Sequence, residues 1–391
     1  MKKERITYSR YLTPFILVTL LFFLWGFARA ILDVLNKHFQ DEMAISITRS
    51  AWIQVTTYLG YFLMAIPAGM FIRRYGYRNG VVLGLSIFGL GALAFIPISS
   101  FYGFLIALFI IGCGLTFLET AANPYVTELG PKRTSASRLN LSQTFNGMGC
   151  FMATLLVGQF LYRESAKGAD VAVPYGILGT VVLIIAVLFS RVRLPEIKHD
   201  QHDNQGLTSV LNNRWFLFGF LALLCYEIAE ISINSYFMNF VTDTGWMSKL
   251  MASRLVSFAL IIFMCGRFIG SWVMSAVKAE KMLFFCAFGS VICMTLTFLD
   301  LGVLSLFALV LNYLFEAIMF PTIFSLAIRG LGSQTKSASS LLMMTPIGGC
   351  GFLLMGYLAD HTTPYIPFIL PLTAFLVVLV YAALMVRKAS V

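Results

Sequence analysis

The segment LTPFILVTLLFFLWGFARAILDVLN, residues 12–36, is apolar along most of its length and carries only two charged side chains, Arg29 and Asp33. A helix that crosses the hydrocarbon core of a bilayer needs about 20 consecutive, mainly apolar residues. This segment is long enough and apolar enough, so it predicts a membrane-spanning helix that starts close to the N-terminus.

Eleven further segments of similar character follow along the 391 residues, of which 59% are hydrophobic and 12% are charged. Soluble domains carry about 25% charged residues, so this composition argues against a soluble enzyme, a nucleic-acid-binding domain and a disordered chain. The sequence predicts an all-α membrane protein with twelve transmembrane helices. They cover residues 12–36, 48–72, 79–99, 101–127, 137–162, 173–193, 213–241, 250–276, 281–299, 302–329, 337–358 and 363–386.

One long polar stretch, residues 194–214, interrupts this pattern after the sixth helix. We therefore predict an N-terminal six-helix bundle at 1–193, a cytoplasmic linker at 194–212 and a C-terminal six-helix bundle at 213–391. Of the 28 Lys and Arg residues, 20 fall on the side that carries the N-terminus and 6 on the other side. Because cytoplasmic loops are enriched in positive charge, we expect both termini to be cytoplasmic and the protein to lie in the cell (inner) membrane.

The two halves share polar residues at one constant offset. Parallel six-helix halves with a binding site near the bilayer midplane describe one large transporter architecture. The offset therefore indicates a six-helix unit that is used twice. An interval of 197 residues relates Asp33 to Glu230, Glu119 to Glu316, and Pro124 to Pro321.

Ionisable residues within the apolar helices are the candidate functional residues. Each costs about 2.5–3.5 kcal/mol at the centre of a spanning helix, so such groups usually face a cavity or a partner. Arg29 and Asp33 are four residues apart and point the same way. Asp33 is either a carboxylate that binds and releases the coupling proton or one member of a static ion pair with Arg29.

Glu119 precedes Pro124 by five residues in LETAANPYVTELGP. Proline has no amide hydrogen, so a backbone carbonyl near residue 120 loses its usual partner. A kinked helix with a glutamate beside the kink suits a sugar site or a proton site. The alternative is a structural hydrogen bond to a neighbouring helix.

Helix 7 carries Glu227 and Glu230 three residues apart, with Asn234 one turn further. Two carboxylates this close cannot both stay ionised in a medium of low dielectric constant, so at least one is expected to be protonated. We predict Glu230, Asn234 and Glu316 as substrate contacts, and Arg29 as a further one.

Two amides of helix 5, Gln143 and Asn146, lie on one helix face. Amides donate and accept hydrogen bonds, which suits the hydroxyls of a neutral sugar, although they also hold membrane helices together. Arg267, near the predicted cytoplasmic end of helix 8, is expected to have a structural or gating role, as are Pro124 and Pro321 in their helices.

No cofactor or metal is expected. The seven cysteines form no C-x-x-C pair, and the His199 and His202 pair lies in the polar linker, where a solvated loop is the better interpretation.

Several of these stretches resemble the major facilitator superfamily and, within it, the fucose–galactose–glucose:proton symporter group, with the L-fucose:proton symporter type the most similar. The resemblance is carried by FFLWGF (22–27), LETAANPYVTELGP (118–131), RLNLSQTFN (138–146), GRFIGSW (266–272), PTIFSLAIRGLG (321–332) and IGG (347–349).

The resemblance implies that Asp33 binds the coupling proton and that Glu119 links the proton to the sugar. It also implies that Gln143 and Asn146 lie near the sugar. Arg29 stands where the fucose symporters would carry an asparagine, and Glu316 stands where they would carry an amide.

We therefore predict a proton-coupled importer of a monosaccharide, L-fucose or a related hexose, that works by alternating access. Its expected partners are the sugar, protons and the lipid bilayer, with no nucleic acid, and it is expected to be monomeric. A proton-coupled efflux antiporter for drugs or sugars remains an alternative, since buried acids and 36 phenylalanines suit it as well. A membrane enzyme or receptor is the alternative from another class, although no nucleophile–base pair or metal-ligand spacing supports it.

Overall fold

The computed structural model describes residues 7–98, 100–131, 135–161, 172–192, 210–274, 277–331, 338 and 341–389. Within these ranges the ordered elements are helices and no strand occurs, as the sequence predicts. The α-helices are α1 Leu12–Met43, α2 Ile47–Ser50, α3 Trp52–Leu93, α4 Phe101–Glu128, α5 Ser135–Leu161, α6 Ala172–Arg191, α7 Arg214–Asp243, α8 Lys249–Val273, α9 Ala279–Phe298, α10 Val303–Glu316, α11 Met319–Ile328, α12 Phe352–His361 and α13 Ile369–Lys388. Short 3₁₀ helices cover Ser9–Tyr11, Thr345–Gly351 and Ile366–Phe368.

Nine helical stretches in the described part of the chain are long and apolar enough to cross a membrane. The predicted spans 79–99, 137–162 and 337–358 have no counterpart among these nine. Most of span 79–99 lies in the last part of α3, and span 337–358 contains a 3₁₀ helix. Span 137–162, which lies in α5, is interrupted by polar residues such as Gln143 and Asn146. The count of twelve therefore stays a prediction. The nine stretches are Ser9–Met43, Ile47–Ile72, Phe101–Asn123, Val173–Arg191, Arg214–Asp243, Lys249–Gly270, Ala279–Phe298, Val303–Ile328 and Ile366–Lys388.

Helix α3 consists of two helices that meet at Gly76, within the region predicted as a loop between helices 2 and 3. Its helical geometry is interrupted at Gly76, where φ is 83° and ψ is 167°. Glycine adopts such a positive φ without the steric cost that a Cβ atom brings. The predicted helices 2 and 3 are thus joined at a kink rather than by a longer loop.

Helix α1 continues to Met43, seven residues beyond its predicted end at 36. The added turns carry charged side chains that find partners. Lys37 Nζ lies 2.8 Å from Asp243 Oδ1, and Lys249 Nζ lies 2.8 Å from Asp41 Oδ2. Apolar patterning did not extend the helix over these residues because their helical state depends on contacts distant in sequence.

The described residues group into two compact units. The first unit takes its residues from Met1–Ala30, Thr56–Ala153 and Glu164–Gln201, and the second from Ile31–Val55, Thr154–Arg163 and His202–Val391. The predicted bundles at 1–193 and 213–391, with a linker at 194–212, stay a prediction.

Close backbone contacts through glycine hold the helices of the first unit. A Cβ atom at Gly149 would lie 2.1 Å from the carbonyl oxygen of Phe23, and one at Gly112 would lie 2.2 Å from that of Thr57. Small residues allow helix backbones in membranes to approach this closely. These contacts bring α5 onto α1 and α4 onto α3, and thereby position the polar side chains of those helices.

In the second unit, the predicted helix 302–329 is broken. α10 ends at Glu316 and α11 begins at Met319. In a continuous helix the amide of residue 321 would donate to the carbonyl of Ala317, but residue 321 is proline and has no amide hydrogen. The break thus follows Glu316 directly and leaves the carbonyl of Ala317 to find another donor.

Candidate functional site

In the first unit, a tyrosine holds the predicted acid of helix α4. Tyr61 Oη donates to Glu119 Oε1 at 2.9 Å. Tyr61 is buried, while Glu119 is half-buried. Glu119 therefore keeps some exposed surface and at the same time accepts a fixed hydrogen bond from α3, an arrangement suited to a carboxyl group that contacts a ligand.

Arg29 joins the same polar cluster through a second tyrosine of α3. Arg29 Nε donates to Tyr58 Oη at 3.1 Å, and the guanidinium carbon lies 5.7 Å from the centroid of the Tyr58 ring. The rings of Tyr58 and Tyr61 are 5.7 Å apart between centroids. The two tyrosines thus connect the predicted substrate contacts Arg29 and Glu119 within one unit.

The amides of helix α5 lie on its half-buried face. Asn146 Nδ2 donates to the carbonyl oxygen of Phe22 at 3.3 Å, which makes Asn146 a contact between α5 and α1. Gln143 is also half-buried and lies one turn earlier. Helix α4 continues through Pro124 to Glu128, and the kink expected near that proline stays a prediction.

In the second unit, the predicted proton carrier Asp33 accepts two hydrogen bonds on one oxygen. Ser235 Oγ donates to Asp33 Oδ1 at 2.8 Å, and Gln54 Nε2 donates to the same oxygen at 3.1 Å. Gln54 Nε2 also lies 2.8 Å from Ser235 Oγ. Both donors are buried, whereas Asp33 is half-buried. Residues from three helical segments therefore converge on this carboxyl group.

Helix α7 presents the remaining predicted polar residues with different degrees of exposure. Glu227 is buried, whereas Glu230 and Asn234 are half-buried. Tyr313 Oη donates to Asn234 Oδ1 at 2.6 Å. This bond orients the Asn234 amide so that its NH₂ group remains available for other contacts.

Glu316 lies at the end of α10 with no exposed surface. Its Oε2 accepts a hydrogen bond from Asn312 Nδ2 at 2.7 Å. Its substrate role stays a prediction, but a fully buried carboxyl group offers no surface to a sugar in this conformation.

Arg267 supplies the donor that the broken helix lacks. Its Nε donates to the carbonyl oxygen of Ala317 at 3.1 Å, the carbonyl that Pro321 leaves without an amide. A Cβ atom at Gly266 would lie 2.8 Å from the carbonyl oxygen of Leu314, so the absence of a side chain there lets α8 approach α10. This contact is of the structural kind predicted for Arg267 and Pro321.

Comparison with known proteins assigns this arrangement to a family. The model of the Major Facilitator Superfamily matches residues 18–350. The chain belongs to this superfamily. The described helices accordingly form an integral membrane protein with the fold that the sequence predicts. The family comprises transporters, so the prediction that the chain is not an enzyme is confirmed.

Similar superfamily members are known from sequence and structure. The chain is 35% identical over 379 residues to the glucose/galactose transporter of Brucella abortus, covering 93% of this chain and 92% of that one. It is 34% identical over 419 residues to the L-fucose-proton symporter of Escherichia coli, covering 97% and 94%. The crystal structure of the E. coli fucose:proton symporter matches with a TM-score of 0.75 at 31% identity and covers 96% of this chain and 98% of that chain.

The residues that complete these clusters in this superfamily member were not predicted. Tyr58 and Tyr61 are three residues apart on α3, a spacing that places them on one helix face and that could have indicated a polar stripe. Ser235, in contrast, contacts Asp33 across 202 residues of sequence, and no local pattern marks it.

No group of three or more His, Cys, Asp or Glu residues is placed to hold a metal ion in the part of the chain that the structure describes. His199 and His202 lie outside the described residues.

Proposed function

We propose that this chain is a proton-coupled importer of a monosaccharide, L-fucose or a related hexose, in the bacterial inner membrane. The relatives of the chain support this proposal, since they include L-fucose-proton symporters and glucose/galactose transporters at 30% to 35% identity. The observation that carries it is Asp33, a half-buried carboxyl group within a spanning helix whose Oδ1 accepts bonds from Gln54 and Ser235.

The chemistry of Asp33 suits a group that gains and loses a proton. Two neutral donors stabilise its ionised form by hydrogen bonding, while the surrounding apolar helix makes a permanent charge costly. Protonation from outside would remove this charge and weaken the bonds to Gln54 and Ser235. Because these donors come from other segments, the proton affects how α1 is held.

Sugar binding is proposed at the half-buried polar residues. Glu119 and Arg29 offer charged groups and the amides offer both donors and acceptors, a set that matches the hydroxyls of a hexose. The proposed sugar contacts are Arg29, Glu119, Gln143, Asn146, Glu230 and Asn234. We propose that the loaded halves then rock to expose the sugar to the cytoplasm, with both termini on that side and the chain acting as a monomer.

Purified protein in proteoliposomes tests this function. Addition of L-fucose, D-galactose or D-glucose should make the external medium more alkaline, because protons enter with the sugar, and a protonophore should abolish sugar accumulation. Asp33→Asn should abolish the alkalinisation while sugar still exchanges across the membrane. Asp300→Asn, at an exposed turn residue, serves as the matched control. Alkalinisation that survives Asp33→Asn refutes the role of Asp33, and alkalinisation by none of the sugars refutes sugar import with protons.

A further inference from the structure

Glu316 has an incomplete set of hydrogen bonds in a fully buried position. Asn312 Nδ2 donates to Oε2, but Oε1 has no hydrogen-bond partner among the described residues. The Asn312 side-chain oxygen also lacks a donor there. Both side chains have 0% exposed surface, so bulk water does not supply the missing donors.

The titratable and charged groups that interact electrostatically with Glu316 come from four helices. They include a second carboxyl group and one guanidinium, whose Nε donates to the carbonyl oxygen of Ala317. The hydroxyl of Tyr226, which is also fully buried, has no hydrogen-bond partner within the described ranges. These groups are Tyr226 and Glu230 on α7, Arg267 on α8, Cys293 on α9 and Tyr313 on α10 itself.

A carboxylate is poorly stabilised in such surroundings. An isolated ionised carboxylate is expensive to bury, and a buried hydrogen-bonding group without a partner is destabilising, the more so if it is charged. Among the charged groups that act on Glu316, the repulsion from Glu230 is larger than the attraction from Arg267. A proton on Oε1 removes the charge of Glu316 and supplies a donor where two buried oxygens lack one.

A metal ion satisfies these groups less well than a proton does. Hard cations take six or more oxygen ligands, and the described residues contain no cluster of three or more His, Cys, Asp or Glu side chains suited to one. The guanidinium of Arg267 also acts on Glu316 and would repel a second cation. The proton is therefore the ligand that fits the site.

We propose that Glu316 is a second proton-binding site of this transporter, which carries a proton in the conformation seen here and is separate from the site at Asp33. This proposal depends on the proposed function in one respect: the proton bound at Glu316 would take part in the transport cycle. The site occupies the position in the second half that corresponds to Glu119, 197 residues earlier.

Infrared difference spectroscopy of the purified full-length protein, between acidic and alkaline buffer without sugar, tests the site directly. A protonated carboxyl group gives a C=O stretching band that a carboxylate or an amide does not give at that frequency. Glu316→Gln should remove the band of one buried carboxyl group, whereas Asp33→Asn should leave that band in place. The glutamine keeps the shape of the side chain, and helical content by circular dichroism checks that the variant is folded.

Asn312→Leu provides an independent check with the carboxyl group still present. It removes the donor to Oε2, so the band assigned to Glu316 should persist but move to higher frequency. A spectrum that is the same in wild type, Glu316→Gln and Asn312→Leu overturns the proposal. This spectroscopic readout does not involve sugar, so it is independent of the proposed function. If the band is present but the protein does not couple sugar to protons, only the proposed function is refuted. If symport is normal but the wild type lacks the band, only the Glu316 site is refuted.

Discussion

Replacement of Ser235 by alanine should change the pH range over which this protein transports sugar. Ser235 Oγ donates to Asp33 Oδ1 at 2.8 Å, the shorter of the two bonds that Gln54 and Ser235 make to this oxygen. Ser235→Ala removes this donor and leaves the ionised carboxylate less well stabilised. The protonated carboxyl group does not lose this stabilisation, so it becomes more stable relative to the carboxylate. Asp33 therefore holds its proton more tightly in the variant.

The size of the effect follows from the strength of the bond. A hydrogen bond to a charged group contributes about 1.5–3 kcal/mol, and one pH unit corresponds to about 1.36 kcal/mol. Uptake should decline at alkaline external pH, where Asp33 no longer gains its proton. In Ser235→Ala the midpoint of this decline should therefore lie about one to two pH units higher than in the wild type.

Initial rates of radiolabelled sugar uptake into proteoliposomes, over a series of external pH values at fixed internal pH, measure this midpoint. Ser232→Ala is the matched control, because Ser232 is buried on the same helix and its hydroxyl has no partner within the described chain. The control should leave the midpoint unchanged. Equal midpoints for Ser235→Ala and the wild type, with both proteins folded and active, would refute the claim that Ser235 stabilises ionised Asp33.

Three further variants test other contacts. Gly149→Ala should lower the unfolding free energy by about 1–3 kcal/mol or more because its Cβ atom overlaps a backbone carbonyl, whereas Gly176→Ala, with nothing nearer than 3.4 Å, should be neutral in the same thermal melts. Arg267→Ala should lower the unfolding free energy by about 1–3 kcal/mol, because it leaves a buried carbonyl without a donor. The loss should be smaller in a Pro321→Ala background, where residue 321 regains its amide. Equal losses in the two backgrounds, measured by a double-mutant cycle, would contradict this. Tyr61→Phe should weaken sugar binding about ten-fold or more through loss of the donor to the acid of α4, as measured by tryptophan fluorescence; unchanged affinity would argue against that acid as a sugar contact.

Local sequence predicts the apolar helices well and their interruptions poorly. Pro124 and Pro321 follow a glutamate at the same spacing, and the same break could be expected after both. The helix continues through Pro124 but ends before Pro321. At Pro321 a donor is present, since Arg267 from α8 reaches the carbonyl of Ala317. The break at Pro321 is thus accompanied by a contact from a different helix, which local sequence does not predict.

Local sequence patterns likewise do not predict which residues contact the predicted acids. Asp33 could be singled out because charge is rare in an apolar span. Gln54 and Ser235, which bind it, are 181 residues apart in sequence yet their side-chain atoms are 2.8 Å apart. Helical periodicity relates residues within a few turns, so it gives no information on a contact of this kind.

Glu119 and Glu316, which are 197 residues apart in sequence, lie in different chemical environments. Glu119 is half-buried and accepts a bond from the hydroxyl of Tyr61, so it can present part of its carboxyl group to a ligand. Glu316 is fully buried, with one amide donor and one oxygen that lacks a partner among the described residues. The first environment suits a group that meets the sugar, and the second suits a carboxyl group that carries a proton. Two acids at the same predicted repeat position are thus expected to have different tasks, because the side chains packed around each acid determine what it binds.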